Sequence, residues 1–237
     1  GSPWNDINVR KALNLAIDKN EIATIVLGDQ VVPATGILPP GFPGFNSSIS
    51  GYEFDPEKAK QLLLESKYGD NLDDMPPITI TTPGSFGANV SLDMEVILAM
   101  WEKNLGIKTE FQQTEFATFL KDLNKRRFQM FDIGWIADYP DPENFLDVLF
   151  YSDSSNNHTN YSSPKVDSLL EQARTEGDET LRFSIYSEVE QTILDDAPWI
   201  PLWYSGERYL LVKPNVRDYL QTPLIIPKLR HVYLTDK

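Results

Sequence analysis

The chain's densest group of chemistry-bearing side chains lies in residues 134–145, GWIADYPDPENF. A carboxylate and two aromatic rings, Asp138, Trp135 and Tyr139, leave the end of a predicted strand there. Open α/β sheets bind ligands at the carboxyl ends of their strands. Asp138 is therefore placed to hold a ligand cation, with Trp135 and Tyr139 as apolar walls. Asp138 could equally be a solvated surface acid that binds no ligand.

The acids of this stretch also allow a different chemistry. Asp138, Asp141 and Glu143 could act as the general acid and base of a glycosidase or of a metal-assisted hydrolase. Such pairs normally come from different strands, whereas these three acids lie within six residues that two prolines interrupt. Asp141 is instead expected to cap a helix that begins at Pro142.

Two other patterns are weaker candidates for a site. His158 and His231 are far apart in sequence, so surface or strand positions are expected rather than a metal site or a catalytic triad. Residues 83–89, PGSFGAN, precede a predicted helix, and their amides could face an anion. They lack the lysine of a phosphate loop and the third glycine of a dinucleotide fingerprint, which favours an ordinary turn.

The elements that position these residues alternate between strand and helix. Helices are predicted at residues 8–17, 18–28, 55–63, 90–104, 115–125, 163–175 and 179–194, and strands at 78–82, 107–112, 128–136, 199–204, 209–212 and 231–234. Strand, helix and strand with connections of this length form parallel βαβ units. Residues 32–52 are rich in proline and glycine and are predicted to form an irregular surface connection outside the lobe. The pattern predicts an α/β fold with helices covering the sheet.

Composition limits the class of function. The 237 residues include 21 basic and 35 acidic side chains, a net charge of −14 that disfavours nucleic-acid binding. No apolar run approaches the 18 or so residues of a membrane span. The chain has no cysteine, which excludes disulfides and thiolate chemistry and is compatible with an oxidising compartment. Gly1-Ser2 is typical of a protease scar, so a native targeting segment could have preceded it.

Several ordered motifs resemble the second half of the family 5 extracellular solute-binding proteins, the oligopeptide and dipeptide receptors of ABC importers. They are PWNDINVRKALNLAID at 3–18, DPEKAK at 55–60, LGIK at 105–108, WIADYPDP at 135–142, YSSPKVD at 161–167, DAPWIPL at 196–202 and VKPNV at 212–216. The resemblance implies a class II periplasmic-binding-protein-like lobe, with a mixed sheet flanked by helices. Residues 3–205 would form the second ligand-binding lobe, and residues 206–237 would return across the hinge to a first lobe that the chain lacks.

The resemblance also implies roles for individual residues. Asp138 matches the position at which peptide-binding members place an aspartate against the ligand's α-ammonium. Trp135 and Phe116 match aromatic residues of the same pocket, beside Tyr139. One position departs from the pattern, because some members have an arginine for the ligand carboxylate three residues before the tryptophan, where this chain has Asp132. A carboxylate clamp of that kind is not expected here.

The resulting prediction is a non-enzymatic lobe that captures a peptide or related solute for an ABC importer permease. It would act outside the cytoplasm, periplasmic or extracellular, with a lipid anchor as an option in the full-length protein. No cofactor, metal ion or nucleic acid is expected. The alternatives left open are a hydrolase such as a glycosidase and an oligosaccharide-binding receptor of the same fold.

Overall fold

The computed structural model describes residues 2–69, 71–84, 90–206, 211–220 and 229–235. The helices are α1 (Ile7–Leu15), α2 (Lys19–Glu21, continued by a π-helical turn at Ile22–Val26), α3 (Pro56–Leu64), α4 (Leu92–Leu105), α5 (Phe116–Asn124), α6 (Glu143–Phe150), α7 (Pro164–Thr175) and α8 (Glu179–Asp196). The strands are β1 (Val31–Pro33), β2 (Ile78–Pro83), β3 (Thr109–Thr114), β4 (Met130–Phe131), β5 (Trp203–Ser205), β6 (Val216–Arg217) and β7 (Tyr233–Leu234).

A parallel sheet in the order β3-β2-β4 confirms the predicted strand–helix alternation. Helix α4 makes the crossover from β2 to β3 and ends at Gly106, whose φ of 68° suits a residue without a side chain. Helix α5 makes the crossover from β3 to β4. The antiparallel pairs β1–β5 and β6–β7 form two further sheets, separate from the parallel one. The predicted α/β class is confirmed.

Two hydrophobic cores hold the helices. The first core joins α1, α3 and α4 to β2, and the Trp101 indole donates to the Leu13 carbonyl at 2.9 Å inside it. The second core lies among α6, α7 and α8 and includes Tyr186, which is fully buried. None of the helices in the described ranges combines the length and the apolar character needed to cross a bilayer.

The segment 32–52 corrects one sequence-based prediction. It is irregular after β1, as predicted, but it is not confined to the surface, because Leu38 is fully buried and Ile37 is 7% exposed in the second core. Glu190 of α8 makes this burial possible. Its Oε1 accepts the backbone N–H groups of Ile37 and Leu38 at 2.6 and 2.9 Å, which satisfies donors that have no ladder partner.

The strand predicted at 128–136 is also corrected, since only Met130–Phe131 is strand. At the start of this strand, the Gln129 side chain makes a hydrogen bond in place of a backbone carbonyl. Its carboxamide oxygen accepts from the amide of Thr79 at 2.6 Å. At its end, the amide of Asp132 still donates to the carbonyl of Thr81 at 3.2 Å. Residues after Asp132 leave the sheet as an extended loop that leads to α6.

The C-terminal tail has little contact with the two cores in its described portions, 211–220 and 229–235. Strands β6 and β7 pair with each other, and Leu211, Leu220 and Leu234 are 98, 68 and 71% exposed. Residues 209 and 210 of the strand predicted at 209–212 lie outside the described residues, and 211–212 are not strand. The division into a lobe at 3–205 and a return segment at 206–237 stays a prediction.

Candidate functional site

The carboxyl ends of the three parallel strands meet at one edge of the sheet. Pro83 of β2 pairs with Thr114 of β3, and Thr81 pairs with Phe131 of β4. A pocket of about 410 Å³ opens at this edge. Its lining consists of Thr82, Pro83, Ser91, Gln113, Phe116, Asp132, Ile133 and Gly134. This is the position at which α/β sheets bind ligands.

Phe116 and the start of the predicted site loop come together in this pocket. Phe116 is the first residue of α5, and the residue is 56% exposed. Glu115 caps that helix by accepting from the amides of Ala117 and Thr118, and these bonds lower the pKa of its carboxyl. The cap fixes the turn that presents the Phe116 ring to the pocket.

Trp135, Asp138 and Tyr139 lie on the loop that continues from the pocket and do not line it. One side chain holds this loop to α6. Asn144, which is 2% exposed, accepts through Oδ1 from the Trp135 indole N–H at 3.1 Å and from the Asp138 backbone N–H at 3.2 Å. The loop backbone is thereby fixed while the Asp138 side chain remains exposed, without a hydrogen bond or ion pair to any described residue.

The Asp141 carboxylate already has hydrogen-bond partners within the protein. Its Oδ1 accepts from the amide of Glu143 at 3.0 Å, but the helix begins one residue later than predicted and Pro142, not Asp141, occupies its N-cap position. Both oxygens also accept from the Arg182 guanidinium, at 2.6 and 2.8 Å. Although partial burial opposes it, the arginine and the Glu143 amide hold the pKa of Asp141 below its usual value. An acid used in this way is a poor general acid, which disfavours the hydrolase interpretation.

The remaining candidates show no ligand chemistry. His158 bonds to Asn124 at 3.0 Å, and partial burial together with Arg126 lowers its pKa. Within the described residues, no group of three histidine or acidic side chains is placed to hold a metal ion. The segment 83–89, which was considered as an anion-binding loop, falls mostly outside the described residues. A larger groove of about 800 Å³ lies between residues 44–49 and α8, but its Asn46 and Glu188 are already bonded to Ser187 and Lys165.

A family model described as "Bacterial extracellular solute-binding proteins, family 5 Middle" matches residues 1–157. The chain belongs to family 5 of the bacterial extracellular solute-binding proteins. The motifs named from the sequence therefore identify the family correctly.

Relatives with known names bind different solutes. The chain is 28% identical over 239 residues to the oligopeptide-binding protein OppA of Bacillus subtilis, covering 99% of this chain and 42% of that protein. It is 32% identical to heme-binding protein A of Haemophilus influenzae, covering 94% of this chain and 40% of that protein. The structure is similar to that of the periplasmic binding protein DppA from Helicobacter pylori in complex with the peptide STSA. That match has a TM-score of 0.84 and 26% identity, and it covers 99% of this chain and 45% of the other. The chain thus spans less than half the length of these relatives.

Three contributors to the site were missed by sequence reasoning. Asn144 and Arg182 act through pairings that depend on how α6 and α8 pack, and Gln113 becomes a pocket residue only because β3 ends beside β2. The only local signal was Asn144 itself, which is a polar residue among the apolar positions of α6.

Proposed function

We propose that this chain is a ligand-binding lobe of an ABC importer's solute-binding protein and that it captures peptides for import. The observation that carries the proposal is the Asp138 carboxylate, which is exposed and unpaired on a loop that Asn144 holds rigid beside the pocket. A fixed carboxylate at the ligand-binding edge of a sheet is suited to a ligand's α-ammonium group. Trp135, Phe116 and Tyr139 would supply the apolar surfaces around it.

The chemistry of the site favours a peptide over an anionic solute. Asp132 and Asp138 both present carboxylates without partners among the described residues. A heme, which carries carboxylates of its own, would meet like charge at both positions. A peptide brings one ammonium group and a chain of backbone donors, which these acceptors can bind. The similarity to a heme-binding protein keeps that solute as the second candidate.

The proposal extends to the whole protein. A first lobe, absent from this chain, would close over the pocket, and residues 206–237 would lead back to it. The protein would act outside the cytoplasm, deliver its ligand to a membrane permease and carry out no reaction; a lipid anchor would keep it at the membrane. An isolated lobe leaves the ligand's charge open to water, where an ion pair contributes only about 0–1 kcal/mol. This chain alone is expected to bind peptides no better than about millimolar, and the full-length protein far more tightly.

Calorimetry of the full-length protein tests the role of Asp138. Asp138→Asn keeps the side chain's shape and removes its charge. It should cost about 1.5–3 kcal/mol in binding a peptide with a free amino terminus, the range for a hydrogen bond to a charged group. The N-acetylated form of the same peptide should lose little. Equal losses for the two peptides would remove Asp138 from the anchoring role.

A further inference from the structure

The pocket at the sheet edge presents acceptor atoms that have no donors. Gln113 Oε1 is buried and accepts no hydrogen bond. Its carboxamide is pressed against Gly84, where an added Cβ would lie 3.0 Å from both the Cδ and the Nε2 atoms. The Asp132 carboxylate lines the same pocket and likewise has no hydrogen bond or ion pair to a described residue. Buried acceptors without partners are costly, so each has a free energy to gain from a ligand donor.

The charges around the pocket have one sign. Partial burial raises the pKa of Asp132, and the nearby Asp93 of α4 raises it further. The described lining contains no lysine or arginine. No cation of this lining can therefore neutralise the Asp132 carboxylate, which leaves the position open to a cation of the ligand.

The apolar part of the pocket suits the stem of a long basic side chain. The exposed Phe116 ring and Ile133 lie on the same lining as Asp132. Methylene groups can pack on these side chains while a charged tip reaches the carboxylate, and an aromatic face is itself favourable for a cation. A volume of about 410 Å³ is within the usual range for small-ligand sites and is large enough for one such side chain.

We propose that the pocket formed by Asp132, Gln113 and Phe116 is a specificity subsite that receives the ammonium or guanidinium group of a lysine or arginine side chain of the peptide ligand. The inference rests on the proposed function and adds the class of peptide that is preferred. The α-ammonium would bind at Asp138 and the side-chain cation at Asp132. Gln113 Oε1 would accept a second hydrogen bond from the same group.

Peptides that differ at one side chain test this subsite in the full-length protein. Lysine is scanned through an alanine tetrapeptide and compared at each position with norleucine, which has nearly the same stem and no charge. At one position lysine should bind about tenfold more tightly than norleucine, the effect of one charged hydrogen bond. Asp132→Asn should bring that ratio close to one. The matched control is Asp153→Asn, an exposed aspartate outside the pocket lining, which should leave the ratio unchanged.

The outcomes separate this inference from the proposed function. Tight binding of every tetrapeptide with no lysine preference, or a preference that survives Asp132→Asn, overturns the subsite and leaves peptide capture standing. If Asp138→Asn rather than Asp132→Asn abolishes the lysine preference, the lysine side chain binds at Asp138, and the subsite at Asp132 is again overturned. Failure of any peptide to bind contradicts both proposals.

Stability gives a second readout. Because the Asp132 charge has no partner in the unliganded protein, Asp132→Asn should melt no lower than the wild type. Gln113→Leu, which removes the orphan acceptor, should reduce the lysine preference severalfold. An Asp132→Asn variant that melts well below the wild type would show that this carboxylate is structural, and the subsite would be rejected.

Discussion

The loop that carries Asp138 depends on a single buried amide, and Asn144→Ala should show it. The substitution deletes an acceptor that receives the Trp135 indole N–H and the Asp138 backbone N–H at 3.1 and 3.2 Å. Each hydrogen bond contributes about 1 kcal/mol net, so the loss of both should cost about 2 kcal/mol. For a chain of this size that loss corresponds to a fall in Tm of about 4–8 °C.

The assay must separate a stability effect from an effect on the binding loop. Peptide affinity and Tm are therefore measured together in the full-length protein, and Asn157→Ala is the matched control. Asn157 is also fully buried and bonds to Tyr151 and Tyr161, but it is remote from the loop in the hydrogen-bond network. Both variants should melt lower, and only Asn144→Ala should weaken binding. Equal loss of affinity in both variants would refute the idea that Asn144 positions the site.

Three further predictions concern the fold. Burial lowers the pKa of Lys19 from 10.5 to about 8. Between these two pH values the unfolded chain binds more protons than the folded chain, so the free energy of unfolding should increase with pH. The increase from pH 8 to pH 10 should be about 2 kcal/mol. Urea unfolding should show this rise in the wild type and not in Lys19→Met; equal slopes would contradict it. Glu190→Ala leaves the amides of Ile37 and Leu38 without an acceptor and should lower the free energy of unfolding by about 3 kcal/mol. Glu190→Gln keeps an acceptor oxygen and should cost less. Equal losses in the two variants would count against this role of Glu190. Amide exchange should be faster in residues 211–220 than in β2, and equal protection in a monomer would show that the tail is well anchored.

Short-range sequence patterns correctly predicted the structural elements that are determined by residues close together in the chain. The helices predicted to begin at residues 18, 55 and 163 start with Asp18, Asp55 and Ser163, and each of these side chains accepts a backbone amide in the first turn of its helix. The βαβ unit followed from the alternation of patterns with connections of the right length. These features depend on neighbours within a few residues, which is why a single sequence contains them.

Features that depend on distant partners were not predictable in the same way. The burial of Leu38 requires Glu190, which is 152 residues away, and the pairing of Asp141 requires Arg182 across 41 residues. The strand predicted at 128–136 was too long because the Gln129 side chain accepts the Thr79 amide at its start and the chain leaves the sheet after Asp132 at its end. Phe116 and Asp132 were recognised through family resemblance, but their shared pocket depends on the alignment of strand ends.

The central claim is that a peptide binds at the carboxyl ends of β2, β3 and β4 with its amino terminus at Asp138. The most direct test is a crystal structure of the full-length protein with a lysine-containing tetrapeptide. We expect the peptide α-ammonium to lie about 2.8 Å from the Asp138 carboxylate, the usual length of a charge-assisted hydrogen bond, with Trp135 and Phe116 beside the peptide. A peptide seated in the groove between residues 44–49 and α8, or one whose ammonium group faces solvent away from Asp138, would contradict it.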